Sequence, residues 1–395
     1  MNGRPQQGAA LRRLFLVQLV AMAAMEMSGP FWPLHLRTIG QLTPQQLAWA
    51  SGIAYAGPMA MAMCLSPWWG RLGDRIGHKP MLLRALFALS MTQLWIGVAD
   101  SVWLILLARL VQGALAGFIA AAQAYGAGLV ERSQRASLMA RLQVATAIGS
   151  VLGPVAGGCL FDVMGFRAVN LLAALVCFLC GLMAAVALPA ADAVSTPPEA
   201  PRSGSWRHKM GGLLLGIGMV QAGKMMPQSF FGLYADKVLH ASALTTGLCY
   251  GATALGLCLA APYWGRRFQH CSRQQVLRQV EWICWACVAV VGVQALAREL
   301  PLVLAARLAW GVCLAALLPV FYALLSREAG AAEQGRVLGA GNSAAKAGAL
   351  LGAGAGGLAL AWVPVQHLFW PVAAVYVAAA VGMRLIRSGP RTAAA

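Results

Sequence analysis

Six ionisable residues stand inside long apolar stretches: Glu26, Arg109, Lys224, Glu281, Arg307 and Lys346. A charge in such surroundings persists where it is paired, faces water or does work, so each is a functional candidate. Glu26 lies about 13 residues into its stretch, roughly 20 Å along a helix. A carboxyl group balanced between burial and a neighbouring cation can take up and release a proton. Arg109 is its natural partner. It stands about eight residues from one end of its stretch, roughly 12 Å deep, and Glu26 is about ten residues from the matching end of its own. Arginine keeps its proton, so its part would be to tune the acid electrostatically or to tether two helices.

The cations Lys224, Arg307 and Lys346, with Gln228 after Lys224, Asn342 before Lys346 and Gln112 after Arg109, suit a substrate with negative charge or strong acceptor oxygens. Each lysine could equally run its head to an interface. Phe31 and Trp32 follow Glu26 and could shape the same pocket. His35 is nearer the outer end, which favours an interfacial role over a proton relay. Glu281 lies closer to the cytoplasmic edge.

The elements that must position these residues are membrane helices. The chain has 395 residues, 59% hydrophobic and only 11% charged. Soluble domains are about one quarter charged. Apolar runs near 20 residues recur, enough to cross a hydrocarbon core of about 30 Å. Spans are expected at Leu11–Leu36, Gln46–Trp69, Met81–Ala99, Ser101–Tyr125, Ala136–Leu160 and Arg167–Leu188. Six more follow at Met210–Tyr234, Ala243–Trp264, Gln275–Ala297, Leu300–Leu325, Gly335–Ala361 and Gln366–Ile386. Between them, residues 189–209 are rich in Pro, Ser and Ala and read as a cytoplasmic linker between domains 1–188 and 210–395.

The net charge of +18 would suggest nucleic acid in a soluble protein. Here the cations cluster in alternate inter-helix loops, with only Arg37, Arg167, Lys237 and Arg298 on the other side. On that asymmetry both termini are expected in the cytoplasm, and the charge is read as topology rather than as a nucleic-acid surface. Arg12 and Arg13 precede a span and no small-residue cleavage site ends it, so no signal peptide is expected. Cys177/Cys180 and Cys284/Cys287 have C-x-x-C spacing but lie in apolar helices, where they read as small packing residues. Neither a metal nor another cofactor is expected, and no nucleophile–base set or nucleotide loop suggests an enzyme.

The two halves repeat. Ser66-Pro67-Trp68-Trp69-Gly70-Arg71 aligns with Ala261-Pro262-Tyr263-Trp264-Gly265-Arg266, and Arg109 to Gly113 with Arg307 to Gly311. At the offset of the second match Lys224 aligns with Glu26, and at that of the first Gln269 stands where Asp74 stands.

The stretch Gly70-Arg71-Leu72-Gly73-Asp74-Arg75-Ile76-Gly77-His78-Lys79-Pro80 joins the second and third spans. It resembles the loop between helices two and three of the major facilitator superfamily, with Gly73 and His78 as departures. The resemblance implies a gating role for Gly70, Asp74, Arg75, Gly77 and Lys79. Arg109-Leu110-Val111-Gln112-Gly113 resembles that family's fourth-helix motif, linked there to proton transfer. The run Gly149 to Gly158, with Gly153, Pro154 and Gly157, resembles the fifth-helix motif of its proton-coupled exporters, although Ala140 stands where the longer pattern has glycine. Such glycines would pack against a helix of the other half. Met25 to Leu34 resembles first helices of bacterial siderophore exporters in the superfamily, the alcaligin type among them.

The resemblance implies an all-α membrane protein of twelve transmembrane helices in two pseudo-symmetric six-helix bundles, working by alternating access. It implies a monomeric, proton-coupled exporter in a bacterial inner membrane, moving a small anionic or oxygen-rich metabolite such as a siderophore. A polyspecific multidrug/proton antiporter and an organic-anion importer are the alternatives. Its partners would be the substrate, protons and the bilayer.

Overall fold

The computed structural model describes residues 3–40, 42–131, 134–189, 206–269, 271–328 and 334–388. Among these every regular element is helical, with no strand. Ten helices are long and apolar enough to cross a membrane. Eleven of the twelve expected spans map onto them, one helix carrying two, and the seventh is built from shorter pieces. Helix α7 (Arg135–Ala187) runs 53 residues but turns at Gly165, where φ is 79° and ψ 177°, into two limbs. That backbone suits only glycine, so Gly165 separates the fifth span from the sixth. The seventh span is divided into α8 (Trp206–Met225), a 3-10 turn at Met226–Ser229 and α9 (Phe231–Leu239).

The first span breaks in the same way, into α1 (Gly3–Glu26), a 3-10 turn at Gly29–Phe31 and α2 (Trp32–Ile39). Each break contains a proline, Pro30 and Pro227, which removes a backbone donor and cannot continue the ladder. The fourth span also breaks, between α5 (Val102–Ala114) and α6 (Phe118–Leu129). The remaining spans are α3 (Pro44–Ile76), α4 (His78–Val98), α10 (Ala243–Gln269), α11 (Arg273–Leu296), α12 (Leu300–Glu328), α13 (Gln334–Trp362) and α14 (Phe369–Ser388).

The expected loop at Gly70–Pro80 is almost wholly helical. Helix α3 continues through it to Ile76, and α4 starts at His78. Gly77 alone turns the chain, at φ 92°, and its N–H still bonds the Gly73 carbonyl at 2.9 Å. The linker at 189–209 lies mostly outside the described residues.

The chain forms two compact units. The first takes Met1–Thr43, Gly57–Ala200 and Ala241–Gly251; the second takes Pro44–Ala56, Pro201–His240 and Ala252–Ala395. The core of the first is built by α1, α4, α6 and α7 around Leu14, Val17, Leu86, Tyr125, Val169 and Cys177. In the second, α8, α11, α12 and α14 bury Ile217, Leu277, Cys284, Phe321 and Tyr376. Phe369 stacks edge-on against Phe230 and Tyr234 there, at 5.4 and 4.9 Å between centroids.

Glycine ladders set the helix pairings in both units. Gly149, Gly153 and Gly157 face α1. A Cβ on Gly153 would stand 2.5 Å from the Ala23 carbonyl oxygen, and one on Gly157 2.6 Å from the Met27 carbonyl carbon. On α13, Gly348, Gly352 and Gly356 meet Gly218, Ala222 and Met226 in the same manner. Without side chains between them the backbones come into direct contact. The two ladders differ by one constant offset, which makes Met27 the counterpart of Met226. Glu26 therefore corresponds to Met225, and Lys224 to Met25. The alignment of Lys224 with Glu26 is off by one residue, about 100° around a helix.

Candidate functional site

Glu26 is the last residue of α1 and is half-buried. Its carboxylate folds over the broken turn: a Cβ on Gly29 would stand 3.3 Å from Glu26 Oε2. Its own Cβ faces Gly153 of α7. The acid is thus fixed where the first helix loses its hydrogen-bond ladder and where α7 packs against it through glycine.

Arg109 of α5 meets Trp32, the first residue past the same break. Its guanidinium carbon is 4.8 Å from the Trp32 ring centroid, and its Nη1 donates to Gln112 Oε1. Trp32 is fully buried, with its edge against Phe166 at 5.0 Å. Phe31 is also buried and packs on Phe161 at 5.0 Å; His35 stacks on Phe166 at 3.9 Å. Phe31, Trp32 and His35 therefore form part of a packed aromatic wall between α2 and α7. Gln112 is buried and packs in this unit.

The second unit repeats the arrangement. Arg307 of α12 is 2% exposed, and its guanidinium carbon lies 3.5 Å from the Phe231 centroid, one residue past the Met226–Ser229 turn and its hinge Phe230. Ser229 Oγ, buried in that turn, donates to the Ala353 carbonyl of α13 at 2.6 Å. Lys224, in the last turn of α8, and Gln228 are half-buried. Asn342 and Lys346 lie one turn apart on α13 and are exposed. Gly113 and Gly311 are packing points: the first meets the Pro58 backbone of α3, the second the Thr253 backbone of α10.

The expected gating residues divide. Lys79 Nζ donates to the Ala185 and Leu188 carbonyls at 2.9 and 2.5 Å, so it caps the C-terminal end of α7. Arg75 is exposed; Gly70 lies within α3 and has nothing within 4 Å of a Cβ position. The Asp74 and Gln269 side chains lie outside the described residues.

In the exporter-type motif, Gly149, Gly153 and Gly157 face α1 of their own unit, whereas Pro154 and Gly158 face the start of α10. A Cβ on Gly158 would stand 2.8 Å from the Ala243 carbonyl carbon.

Sequence reasoning missed two side chains and one glycine ladder. Asp162 follows this motif and accepts from Ala243 N and Leu244 N, both at 2.8 Å, capping α10 with both carboxylate oxygens. Arg84 lies 3.5 Å from the Trp69 centroid and donates to the Ala116 carbonyl at 3.2 Å, beside the break in the fourth span. The α13 glycine ladder was hidden in an Ala/Gly-rich run; an every-fourth glycine spacing was the available signal. The repeated tryptophans also acquire a purpose. Trp69 Nε1 donates to the Ala114 carbonyl at 2.7 Å and Trp264 Nε1 to the Val312 carbonyl at 2.9 Å.

The Major Facilitator Superfamily profile matches residues 14–211 and 213–395. The staphyloferrin B transporter of Staphylococcus aureus (strain NCTC 8325 / PS 47) is 26% identical over 353 residues, 86% of this chain and 84% of that protein. Multidrug resistance protein MdtG of Rahnella sp. (strain Y9602) is 35% identical over 161 residues, 41% of this chain and 39% of that protein. A solved bacterial homolog to the human lysosomal transporter Spinster, in an inward-facing and occupied conformation, aligns with a TM-score of 0.77. It covers 97% of both chains at 14% identity, a likeness of fold.

Proposed function

The chain belongs to the Major Facilitator Superfamily and is a multi-pass membrane transporter, and we propose that it exports a small anionic or oxygen-rich metabolite, such as a siderophore, in exchange for protons. The observation that carries this reading is the acid at the helix break: Glu26 against Gly29, with Arg109 held on Trp32 three residues further on. Protonating Glu26 removes a negative charge beside the broken turn and changes its electrostatic pull on Arg109. Broken helices at matching places in both repeats are where transporters of this kind hold ions and substrates.

Lys224, Lys346 and Asn342, with Gln228, supply the cationic and amide groups for the substrate. The stacked Arg109 and Arg307 add fixed positive charge, and Phe31 and Trp32 support the first break from behind. Domains 1–188 and 210–395 act as the two repeats, and Asp74 with Arg75 latches the cytoplasmic side. The Lys/Arg asymmetry supports an inner-membrane protein with both termini in the cytoplasm. Similarity to the staphyloferrin B transporter over 86% of the chain supports a siderophore-like substrate.

The test compares metabolites inside cells and in spent medium for a deletion strain and its parent under iron limitation. An iron-chelating metabolite retained inside the mutant and lost from the medium supports this reading. Unchanged chelator secretion sinks it. The second reading, a multidrug/proton antiporter, is favoured by the 35% identity to MdtG, and it requires the overexpressed protein to protect cells from several unrelated dyes.

A further inference from the structure

A cavity of about 820 Å³ opens on the flank of the second unit, at the end where α11 begins and α14 ends. It shares no residue with the transport site proposed above. Three arginines line it, Arg278, Arg384 and Arg387, against one acid, Glu281. The Glu281–Arg387 pair, 3.0 Å apart, offsets one guanidinium and leaves two positive charges in excess. Below the arginines stand Trp282 and Trp285, 63% and 39% exposed. Arg278 to Trp285 is seven residues on one helix face, roughly 10 Å of depth.

This order of chemistry runs inward along the two helices: guanidiniums first, then the indoles and, one turn in from Arg384, the exposed Val381 of α14, with the exposed Val293 further along α11. Arginine matches a phosphodiester by charge and by paired N–H groups. Tryptophan sits at the headgroup boundary, and the apolar flank offers a track for acyl chains. A soluble anion would use only the first of these layers.

We propose that this cavity binds the headgroup of an anionic phospholipid such as phosphatidylglycerol, with its chains lying along α11 and α14. The site stands independently of the transported substrate; only its assignment to the cytoplasmic leaflet rests on the orientation proposed above. Basic pockets at helix ends on that side are suited to such lipids.

The test is native mass spectrometry of the detergent-solubilised full chain, mixed with phosphatidylglycerol and phosphatidylethanolamine in equal amounts. The wild type should retain phosphatidylglycerol preferentially. Arg278→Gln with Arg384→Gln should lower that retention about thirty-fold, and Arg278→Lys with Arg384→Lys should keep most of it. If the double glutamine variant does not fold, Arg384→Gln alone, at an exposed side chain, should lower it about five-fold. As a charge-matched control, Arg12→Gln with Arg141→Gln, at a second cavity beside α1 and α7, should leave retention unchanged. Three results would overturn the proposal: undiminished retention in the glutamine variants, an equal loss in the control, or displacement of the lipid by an equal concentration of glycerol 3-phosphate, which would mark a soluble-anion site.

Discussion

Arg307 lies 3.5 Å from the centre of the Phe231 ring, and Arg109 takes the equivalent place over Trp32 at 4.8 Å. In each unit a cation from the span carrying the R-x-x-x-G pattern is held by the aromatic that follows a broken helix. An arginine over a ring is attracted by the face of the π-system, more strongly when water is excluded. The repeat has therefore kept a position, an arginine steadied beside a break, while the acid at that break belongs to the first unit alone.

The first prediction concerns this stacking. A double-mutant cycle of Phe231→Leu with Arg307→Lys should give a coupling of about 1–2 kcal/mol in thermal unfolding, against about 0.5–1 kcal/mol for Trp32→Leu with Arg109→Lys. The order follows from the shorter distance and fuller burial of Arg307. Zero coupling in both cycles would mean that the rings merely pack.

The glycine ladders support a second prediction. Gly153→Val and Gly352→Val place side chains where the backbones of α1 and α8 already stand. Each should destabilise its unit by more than the usual 1–3 kcal/mol of overpacking, because backbone rather than a side-chain tip must yield. Gly292→Ala, with nothing within 4 Å of its Cβ position, should be nearly neutral or slightly stabilising. Size-exclusion profiles and melting curves of the purified variants separate these outcomes.

These two cases also mark what was legible in the sequence. Apolar runs near 20 residues and the alternating placement of Lys and Arg suffice for an all-α membrane fold. The aligned Arg109–Gly113 and Arg307–Gly311 segments correctly identify equivalent packing points. The breaks at Gly29–Phe31, Leu115–Gly117 and Met226–Ser229 were not legible as breaks, because each lies within a hydrophobic run long enough to span. The register between Glu26 and Lys224 failed by one residue because local similarity is weak there; backbone contacts of the two ladders fix it. The basic Gly70–Pro80 stretch looked like a loop, since glycine is a poor helix former, yet only Gly77 needs a conformation that other residues avoid. Lys79 illustrates the same limit: its charge was visible, but the α7 carbonyls that it caps are over 100 residues away.

Asp162 supplies a third prediction. Both of its oxygens accept backbone N–H groups at the start of α10, so Asp162→Ala should lose an N-cap worth about 1 kcal/mol, and Asp162→Asn a smaller part of it. Hydrogen exchange should quicken at Ala243 and Leu244 before it changes elsewhere in α10. Unchanged protection at these two amides would show that the cap is dispensable.

The last prediction addresses coupling. Glu26→Gln preserves the shape of the side chain beside Gly29 and Gly153 but removes the group that can exchange a proton. In proteoliposomes, a pH gradient should no longer drive uphill movement of the identified metabolite by this variant, while exchange between equal pools on both sides should continue. Glu26→Asp keeps the charge but shortens the reach to Gly29, so it should retain pH dependence at a lower rate. Gly29→Ala crowds the carboxylate from the opposite direction, at 3.3 Å, and should slow transport without abolishing its response to pH. A Glu26→Gln protein that still concentrates the metabolite when a pH gradient is imposed would remove Glu26 from the coupling step and leave it as a structural partner of the helix break.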